Sequence, residues 1–550
     1  MAKVVMTTLF NPGSAGARYV AASCKAAGHE VSIIHFKEFR AVEVPTEDEE
    51  HHRRLVRDKL KYLAVHRPGK LIYVPYPTPI TEREYEIYLE EIERRKPDVV
   101  AISMYTVTYE VARQLTELMH ERFPGLPVIW GGLHTILAPQ QCIETADVVC
   151  TNEGEDAFVE FLEKLDNFKA GEEINIQGMW FHYSDGRIVK CAERPLIQNL
   201  DKLPFPIYGE DEIVIEDDAI SDKMMRVGDF LNAHVYLFTE RGCPYKCSYC
   251  VHSILNNMGH AAFRRRTVDN VLDEVELRIQ TLGMTHFVFH DEIFIIQKPW
   301  IMEFARKFRD RFKSRGITFT GYVHPLTTDE EMMAAMFDAG MNRSGMGIQS
   351  GSEYTLKKVF DRPYYPDKMR AMTKLLSKYD FEDKQFEIIV NNHYETEEDR
   401  RNTLELLLTL EPPFEVETFN LLVYETSKLA EYKPLMEKVD PNEQLFWSSL
   451  YHLTSVPEFD RDTIRKMSYD TYLRQNPKVL EKIVVDVYKM YEPLRDRKKL
   501  DAVERRKKRV EEYNRQVHMA AASAPRTFRS RLKRKVKSLI AAAGLIRLLS

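Results

Sequence analysis

The sequence predicts an α/β protein built from an amino-terminal doubly wound parallel sheet, a partial (βα)6 barrel and a mainly helical carboxyl-terminal region. Three observations carry this expectation. Over residues 1–165 short β-branched runs alternate with helical patterns, which argues for parallel strands covered by helices on both faces. Six further strand-then-helix units follow between residues 234 and 430, a repeat that suits a partial barrel. Beyond residue 431 the patterning becomes helical with interspersed aromatics.

The bulk properties narrow the class. A chain of 550 residues at roughly 150 per domain predicts three or four domains, here 1–165, a linker 166–233, 234–430, a helical cap 431–494 and a tail 495–550. With 44% hydrophobic and 29% charged residues it has the composition of a soluble globular protein. Seven cysteines in such a length make no disulfide framework and imply a reducing cytoplasm. Met1-Ala-Lys-Val-Val-Met enters a strand-like run at once, with no apolar leader. No apolar run reaches the ~18 residues of a membrane span. The net charge of -6 hides an asymmetry: residues 495–550 hold 18 Lys/Arg and 5 Asp/Glu, so the remainder carries -19.

In the first region, strands are expected at Val4–Phe10, Glu30–Phe36, Asp98–Met104, Pro127–Gly131 and Asp147–Cys150. Helices are expected at Ala15–Ala27, Val107–Arg122, Pro139–Thr145 and Glu155–Leu165. The stretch from Lys37 to Pro97 is too long for a plain crossover and reads as an insertion of two helices within Thr46–Arg95. Ligands of such sheets sit beyond the carboxyl ends of the strands. The turns there offer Asn11 and Gly16, Ser103, Gly131 and Gly132, and Glu153, with glycines that let backbone approach a large ligand. A loop histidine such as His134 reads as hydrogen-bonded or solvated.

In the linker, Met179–Lys190 reads as a hairpin with Asp185-Gly186 at its turn, and Pro195–Ile207 as an extended, proline-fixed strap. The acidic stretch Asp211–Phe230 reads as a lid or a connector. Barrel strands are then expected at His234–Thr239, Thr285–His290, Thr318–Tyr322, Arg343–Gln349, Gln385–Val390 and Val416–Val423. Catalytic groups of such barrels come from the carboxyl ends of the strands.

At the end of the first stands Glu240-Arg-Gly-Cys-Pro-Tyr-Lys-Cys-Ser-Tyr-Cys250. Its thiols at Cys243, Cys247 and Cys250 are one short of a closed structural zinc site, and suit a 4Fe-4S cluster with one iron left without a protein ligand. A zinc loop completed by Cys191 or His252 is the alternative. The second strand ends in Asp291 and Glu292, the third in the polar aromatic pair Tyr322 and His324, candidate catalytic residues facing the same mouth. The fourth leads to Ser350 and Glu353.

The cysteine run, with its aromatic before the third cysteine, resembles the signature of the radical S-adenosylmethionine (SAM) enzymes. The resemblance implies that SAM chelates the open iron and that one electron cleaves it to a 5′-deoxyadenosyl radical. It also places Asp291 and Glu292 near the SAM amino group, for which an anion has an electrostatic reason, and Ser350 and Glu353 on its ribose and carboxylate side. The amino-terminal order of loops resembles the cobalamin-binding domain found ahead of that barrel in one large subfamily, whose members methylate, cyclise or oxidise inert carbon. There Asn11, Gly16, Ser103, Gly131, Gly132 and Glu153 would bind cobalamin. The Asp-x-His-x-x-Gly run that gives cobalt a histidine is absent, so the lower face of the corrin is expected without a ligand from the first loop. A flavodoxin-like domain that binds no cobalamin is the alternative. Two departures stand out: Val390-Asn-Asn-His-Tyr-Glu-Thr396 replaces a common Gly-x-Pro-x-Glu-Thr, and Tyr424-Glu-Thr-Ser427 a common Pro-Gly-Thr.

The implied activity is C-methylation, with anaerobic cyclisation or a non-catalytic iron–sulfur redox role as rivals. An external electron donor such as flavodoxin or ferredoxin and a small-molecule substrate follow. In the carboxyl-terminal part, Phe446, Trp447, Tyr451, Phe459, Tyr469 and Tyr472 read as core of a cap over the open side of the barrel. The tail joins a basic run, Arg529–Ile540, to apolar Ala541–Leu549, which suits peripheral contact with an anionic membrane face and hence a lipid or tetrapyrrole substrate. A disordered soluble tail is the alternative, and nucleic acid is not expected beside an acidic body.

Overall fold

The computed structural model describes residues 1–38, 40–42, 65–67, 70–76, 80–209, 211–221, 235–260, 262–363, 365–421, 423, 427–430, 440–457, 459–488 and 490. In chain order the first strands are β1 (Lys3–Leu9), β2 (Glu30–Phe36), β3 (Arg40–Val42), β4 (Val65–Arg67), β5 (Lys70–Tyr76), β6 (Val99–Ser103), β7 (Val128–Gly131) and β8 (Val148–Cys150). Next come β9 (Met179–His182), β10 (Ile188–Lys190), β11 (Glu212–Glu216), β12 (Ala219–Ser221), β13 (Tyr236–Leu237), β14 (Glu240–Arg241) and β15 (Arg264–Arg265). The last are β16 (His286–Phe289), β17 (Thr318–Tyr322), β18 (Met341–Gln349), β19 (Asp383–Val390) and β20 (Glu415–Asn420).

The first sheet runs β10-β9-β8-β7-β6-β1-β2-β11-β12. It is parallel from β8 to β11, and its order reverses at β1, which pairs with both β2 and β6. Alternation along β1 feeds two cores. Val4 and Met6 pack with helices 15–26 and 154–163, while Val5 and Leu9 pack with helices 82–95 and 109–122. A doubly wound sheet follows directly from this two-sided burial.

The second sheet runs β13-β16-β17-β18-β19-β20-β4-β5-β3, with the six barrel strands parallel. Phe287, Phe289, Phe319, Phe386 and Ile388 turn outwards into the helical layer, where Phe289 meets Phe304 edge-on at 5.4 Å. Each fully buried phenylalanine contributes roughly 2 kcal/mol. Several alternate positions are polar: His286 bonds the hydroxyls of Thr318 and Thr320 at 2.8 and 2.9 Å, where a closed barrel carries branched apolar side chains.

The insertion before residue 95 contributes the helix Glu82–Arg95 and a β-hairpin that was not expected, in which β4 lies antiparallel to β20 and extends the barrel sheet; the rest of the expected helix pair falls on residues 43–64, outside the described residues. Helix 441–453 packs on β20, the strand to which β4 pairs. Three other expectations are corrected. The acidic stretch after Asp211 is neither lid nor connector over 212–221, where β11 joins β2 in parallel and β12 closes the edge. The 179–190 hairpin pairs with β8 and so belongs to the first sheet. Of the carboxyl-terminal aromatics, Phe446, Trp447 and Tyr451 are core, whereas Tyr469 and Tyr472 are exposed. The basic tail and Tyr424–Thr426 lie outside the described residues. Among the described residues no helix is long and apolar enough to cross a membrane.

Candidate functional site

The carboxyl ends of β1, β6, β7 and β8 open onto one cavity of about 370 Å³, and the loops flanking β14 and β15 form its opposite wall. Of the residues expected on the sheet side, Gly16, Ser103, Gly131, Gly132 and Glu153 line it. Asn11 instead closes its own turn: its Oδ1 accepts the Gly13 N–H at 3.0 Å and its Nδ2 donates to the Tyr105 hydroxyl at 3.2 Å. Deeper in, Met6, Ala101, Ile129 and Phe158 make the wall apolar.

Two glycines explain the shape. Gly132 has φ +104°, and a Cβ there would stand 2.5 Å from the Met104 carbonyl oxygen, so only glycine lets the β7 turn lie against β6. Gly16 differs, since a Cβ built on it meets nothing within 4 Å. No neighbour in the fold requires its side chain to be missing. A broad, largely apolar slot edged by glycines at the switch point of a doubly wound sheet fits a large planar cofactor.

The cysteine loop enters from the other side. Gly242, at φ +85°, turns the chain after β14. The Cys250 N–H then donates to the Cys247 carbonyl at 2.9 Å, and Asn256 Nδ2 ties down the carbonyls of Cys243 and Tyr245 at 3.0 and 3.2 Å. All three cysteines are free thiols with partial exposure. Burial pushes Cys243 up to about 11 and Cys250 up to about 12, and neighbouring thiols of the loop add to both. Cationic iron reverses that bias and ionises such thiols. Among the described residues no three His, Cys, Asp or Glu side chains converge on a point that would hold a single metal ion. A 4Fe-4S cluster takes each thiolate on a different iron.

Around this loop the expected residues divide by what their polar atoms already hold. Asp291 is buried, and accepts from the Thr239 N–H at 2.6 Å, the Thr239 hydroxyl at 2.7 Å and the Glu240 N–H at 3.2 Å. It secures the strand end that leads into the loop. Glu292 is about half exposed and pairs with His252 Nε2 at 2.7 Å. Ser350 is buried and donates to Glu395 at 2.6 Å, whereas Glu353 is exposed. The His324 ring stacks on Tyr245 of the loop at 4.6 Å, and burial followed by the nearby Arg362 guanidinium lowers its pKa to about 3. Tyr322 packs over Gly345, where a Cβ would strike its ring at 2.4 Å, and burial raises its phenol well above the usual range. Gln349 and Asn391, at the ends of β18 and β19, both hold left-handed backbone, with φ +67° and +56°, a strain found at functional mouths. In the divergent loop Asn392 is buried and its Oδ1 accepts the Tyr394 N–H at 3.1 Å.

Three groups escaped the sequence reading. Arg241 and Arg264 bond the two oxygens of Glu153, so that carboxylate faces the barrel rather than the cavity alone. Arg362 donates to the Tyr249 hydroxyl. Glu387 lies directly opposite Glu417 on the inner wall. Burial first, then Glu417, raises its pKa to about 7. A charge in the apolar pattern Phe386-Glu-Ile-Ile-Val390 was the available signal for it.

Comparison with known proteins agrees with this architecture. The radical SAM superfamily model matches residues 238–407 and the B12 binding domain model matches residues 71–162. The chain is 26% identical over 273 residues to an uncharacterized methyltransferase of Pyrococcus horikoshii, covering 49% of this chain and 55% of that protein. It is 26% identical over 340 residues to the anaerobic magnesium-protoporphyrin IX monomethyl ester cyclase of Cereibacter sphaeroides, covering 60% of this chain and 52% of that one. The chain thus spans about half the length of the curated relatives it matches. Among solved structures, the methyltransferase TsrM of Kitasatospora setae, with cobalamin and a [4Fe-4S] cluster bound, aligns with a TM-score of 0.57 at 15% identity over 80% of both chains. OxsB, described as a cobalamin-dependent SAM radical enzyme, aligns with a TM-score of 0.57 at 12% identity over 100% of this chain and 85% of its own. The chain thus carries a match to a B12 binding domain ahead of a match to a radical SAM domain, and in this it resembles the cobalamin-binding-domain-containing radical SAM enzymes.

Proposed function

We propose that the chain is a cobalamin-dependent radical SAM enzyme that methylates an unactivated carbon of a small molecule. The observation behind it is the single cavity whose walls are the glycine-edged ends of the first sheet and the loops that bracket the three cysteines. Cys243, Cys247 and Cys250 would hold a 4Fe-4S cluster, and Gly16, Ser103, Gly131 and Gly132 would bed cobalamin, with Asn11 and Glu153 shaping the turns beside it. Bound there, the cluster with SAM supplies a 5′-deoxyadenosyl radical and cobalamin supplies the methyl group.

The chain's own residues bind and orient. Glu292 offers an anion to the SAM ammonium, while Asp291 fixes the strand end next to it. Ser350 and Glu353 sit on the ribose and carboxylate side. Tyr322 and His324 face the substrate uncharged at neutral pH, the first because burial holds its proton on and the second because burial keeps a second proton off.

Anoxic reconstitution tests the reading. With SAM and reductant the protein should yield 5′-deoxyadenosine, Cys250→Ala should yield none, and hydroxocobalamin should stay with the protein through a desalting column with an altered spectrum. A wild-type protein that makes no 5′-deoxyadenosine overturns it. Anaerobic cyclisation is the second reading, favoured by cyclase relatives that match over a longer stretch than the first methyltransferase does. Label from methyl-labelled SAM appears in product only for the methyltransferase.

We propose further that the electron comes from a flavodoxin or ferredoxin and that the substrate is a lipid or tetrapyrrole. On this reading the protein is cytoplasmic and the basic tail rests on the inner membrane face. Product mass spectrometry on a cell lipid extract tests the substrate half.

A further inference from the structure

The cysteine loop reaches solvent away from the cavity: Pro244 and Lys246 are exposed, and neither lines the cavity wall. Residues 355–359 form a π-helical segment, a geometry that recurs at functional sites, and it is fastened to that loop. The Ser248 N–H donates to the Phe360 carbonyl at 2.9 Å and its hydroxyl to the Val359 carbonyl at 2.5 Å. Tyr249 meets Phe360 edge-on at 4.7 Å, giving a short bonded and ring-to-ring route from this segment to the thiols. Lys357 and Lys358 of the segment are exposed, as is Tyr354 at 59%, and the Lys357 ammonium lies 5.5 Å from the Tyr365 ring. Asp361 is neutralised by Lys428 at 2.9 Å. Among these side chains Lys246, Lys357 and Lys358 outnumber Glu353, on a body, residues 1–494, that carries -19.

We propose that this face docks an acidic one-electron carrier protein. The inference rests on the function proposed above, which consumes one electron per SAM cleaved. In the docked complex the carrier's reduced flavin or iron–sulfur centre loses one electron and the cluster on Cys243, Cys247 and Cys250 gains it; no bond forms and no proton moves. Local positive charge on an otherwise acidic surface orients such a partner and repels wrong approaches of it, and it does so in a salt-dependent way. Exposed Tyr354 adds an aromatic contact of the kind enriched at interfaces.

The test uses reconstituted full-length protein and an acidic flavodoxin as probe, with binding measured by calorimetry at low and high salt and cluster reduction followed by optical spectroscopy. Binding should weaken on the order of tenfold between 50 and 300 mM salt. Lys357→Glu combined with Lys358→Glu should weaken it at least as much and slow flavodoxin-driven cluster reduction in proportion. Dithionite-driven reduction should stay unchanged in that variant. Lys246→Glu alone provides a second reading if the double variant does not fold. Unchanged flavodoxin affinity in both variants, or a face that binds RNA but not flavodoxin, overturns the proposal. Failure of the enzymatic reading looks different: wild-type protein would make no 5′-deoxyadenosine even with dithionite, while flavodoxin binding is still scored on its own.

Discussion

Arg241, two residues ahead of Cys243, grips Glu153 of the first sheet at 2.9 Å and reaches Glu155 with its other nitrogen at 2.5 Å. Arg264 takes the second Glu153 oxygen at 2.9 Å, and the Ile197 N–H of the strap donates to the same oxygen at 2.7 Å. One carboxylate at the end of β8 therefore ties together the sheet, the strap and the cysteine loop.

Breaking this clamp should loosen one half against the other. Arg241→Met leaves Glu155, whose side chain is 3% exposed, without its cation. Truncating one partner of a buried pair costs about 3 kcal/mol. Thermal unfolding of the variant should show a lower midpoint and two separated transitions in calorimetry, whereas Arg241→Lys, which keeps charge but loses the fork, should fall between. A single unshifted transition for Arg241→Met would remove the clamp from the account.

The two cavity glycines separate fold from ligand. Gly132→Ala meets backbone at 2.5 Å with φ +104° and should lose about 2 kcal/mol or more. Gly16→Ala meets nothing within 4 Å and should melt like the wild type. It should nonetheless release hydroxocobalamin faster on a desalting column, because the methyl group enters the ligand's space. Equal retention by wild type and Gly16→Ala would move the cofactor away from this loop.

What the sequence made legible was local. The strands of both parallel sheets fell where β-branched alternation put them, and β17 matched to the residue. The cysteine loop follows β14, and Asp291-Glu292 follow the end of β16. The β4–β5 hairpin did not show, because its pairing with β20 joins residues more than 350 positions apart and no local period reports such a partner. Strand β11 was masked differently. Glu212 made its surroundings look solvated, yet that carboxylate is buried against Arg18 and His35. Likewise Asp291, Ser350 and Glu153 were found as polar residues at strand ends, but which bonds already occupied their oxygens depends on elements far away in the chain.

The Glu212 network predicts acid sensitivity with a definite sign. Burial alone would raise this carboxyl, but Arg18 at 3.0 Å and His35 at 3.1 Å outweigh it and hold it down to about 2, against 4.5 ordinarily. A depressed folded pKa contributes stability that is complete above pH 4.5 and is lost as pH falls towards 2, about 3 kcal/mol in all. Urea titrations from pH 6 to 2 should show Glu212→Gln much less stable than the wild type at pH 6 and the two converging near pH 2. Parallel curves across that range would mean that Glu212 is not ionised in the folded protein.

Glu387 carries the opposite sign, since it faces Glu417 across the β19–β20 pair inside the barrel. Burial and that neighbour raise it from 4.5 to about 7. A raised carboxyl favours the folded state fully below pH 4.5 and withdraws that support as pH climbs through 7. Glu387→Gln keeps the hydrogen-bonding outline but cannot ionise. The variant should match the wild type near pH 4 and exceed it at pH 8, by up to about 3 kcal/mol in urea titration. Because Glu387 lies within electrostatic reach of Glu292 and Arg362, the same substitution should also change SAM affinity measured by calorimetry at pH 8 but not at pH 5.5. A stability gain that is equal at both pH values would show instead that the side chain is merely overpacked.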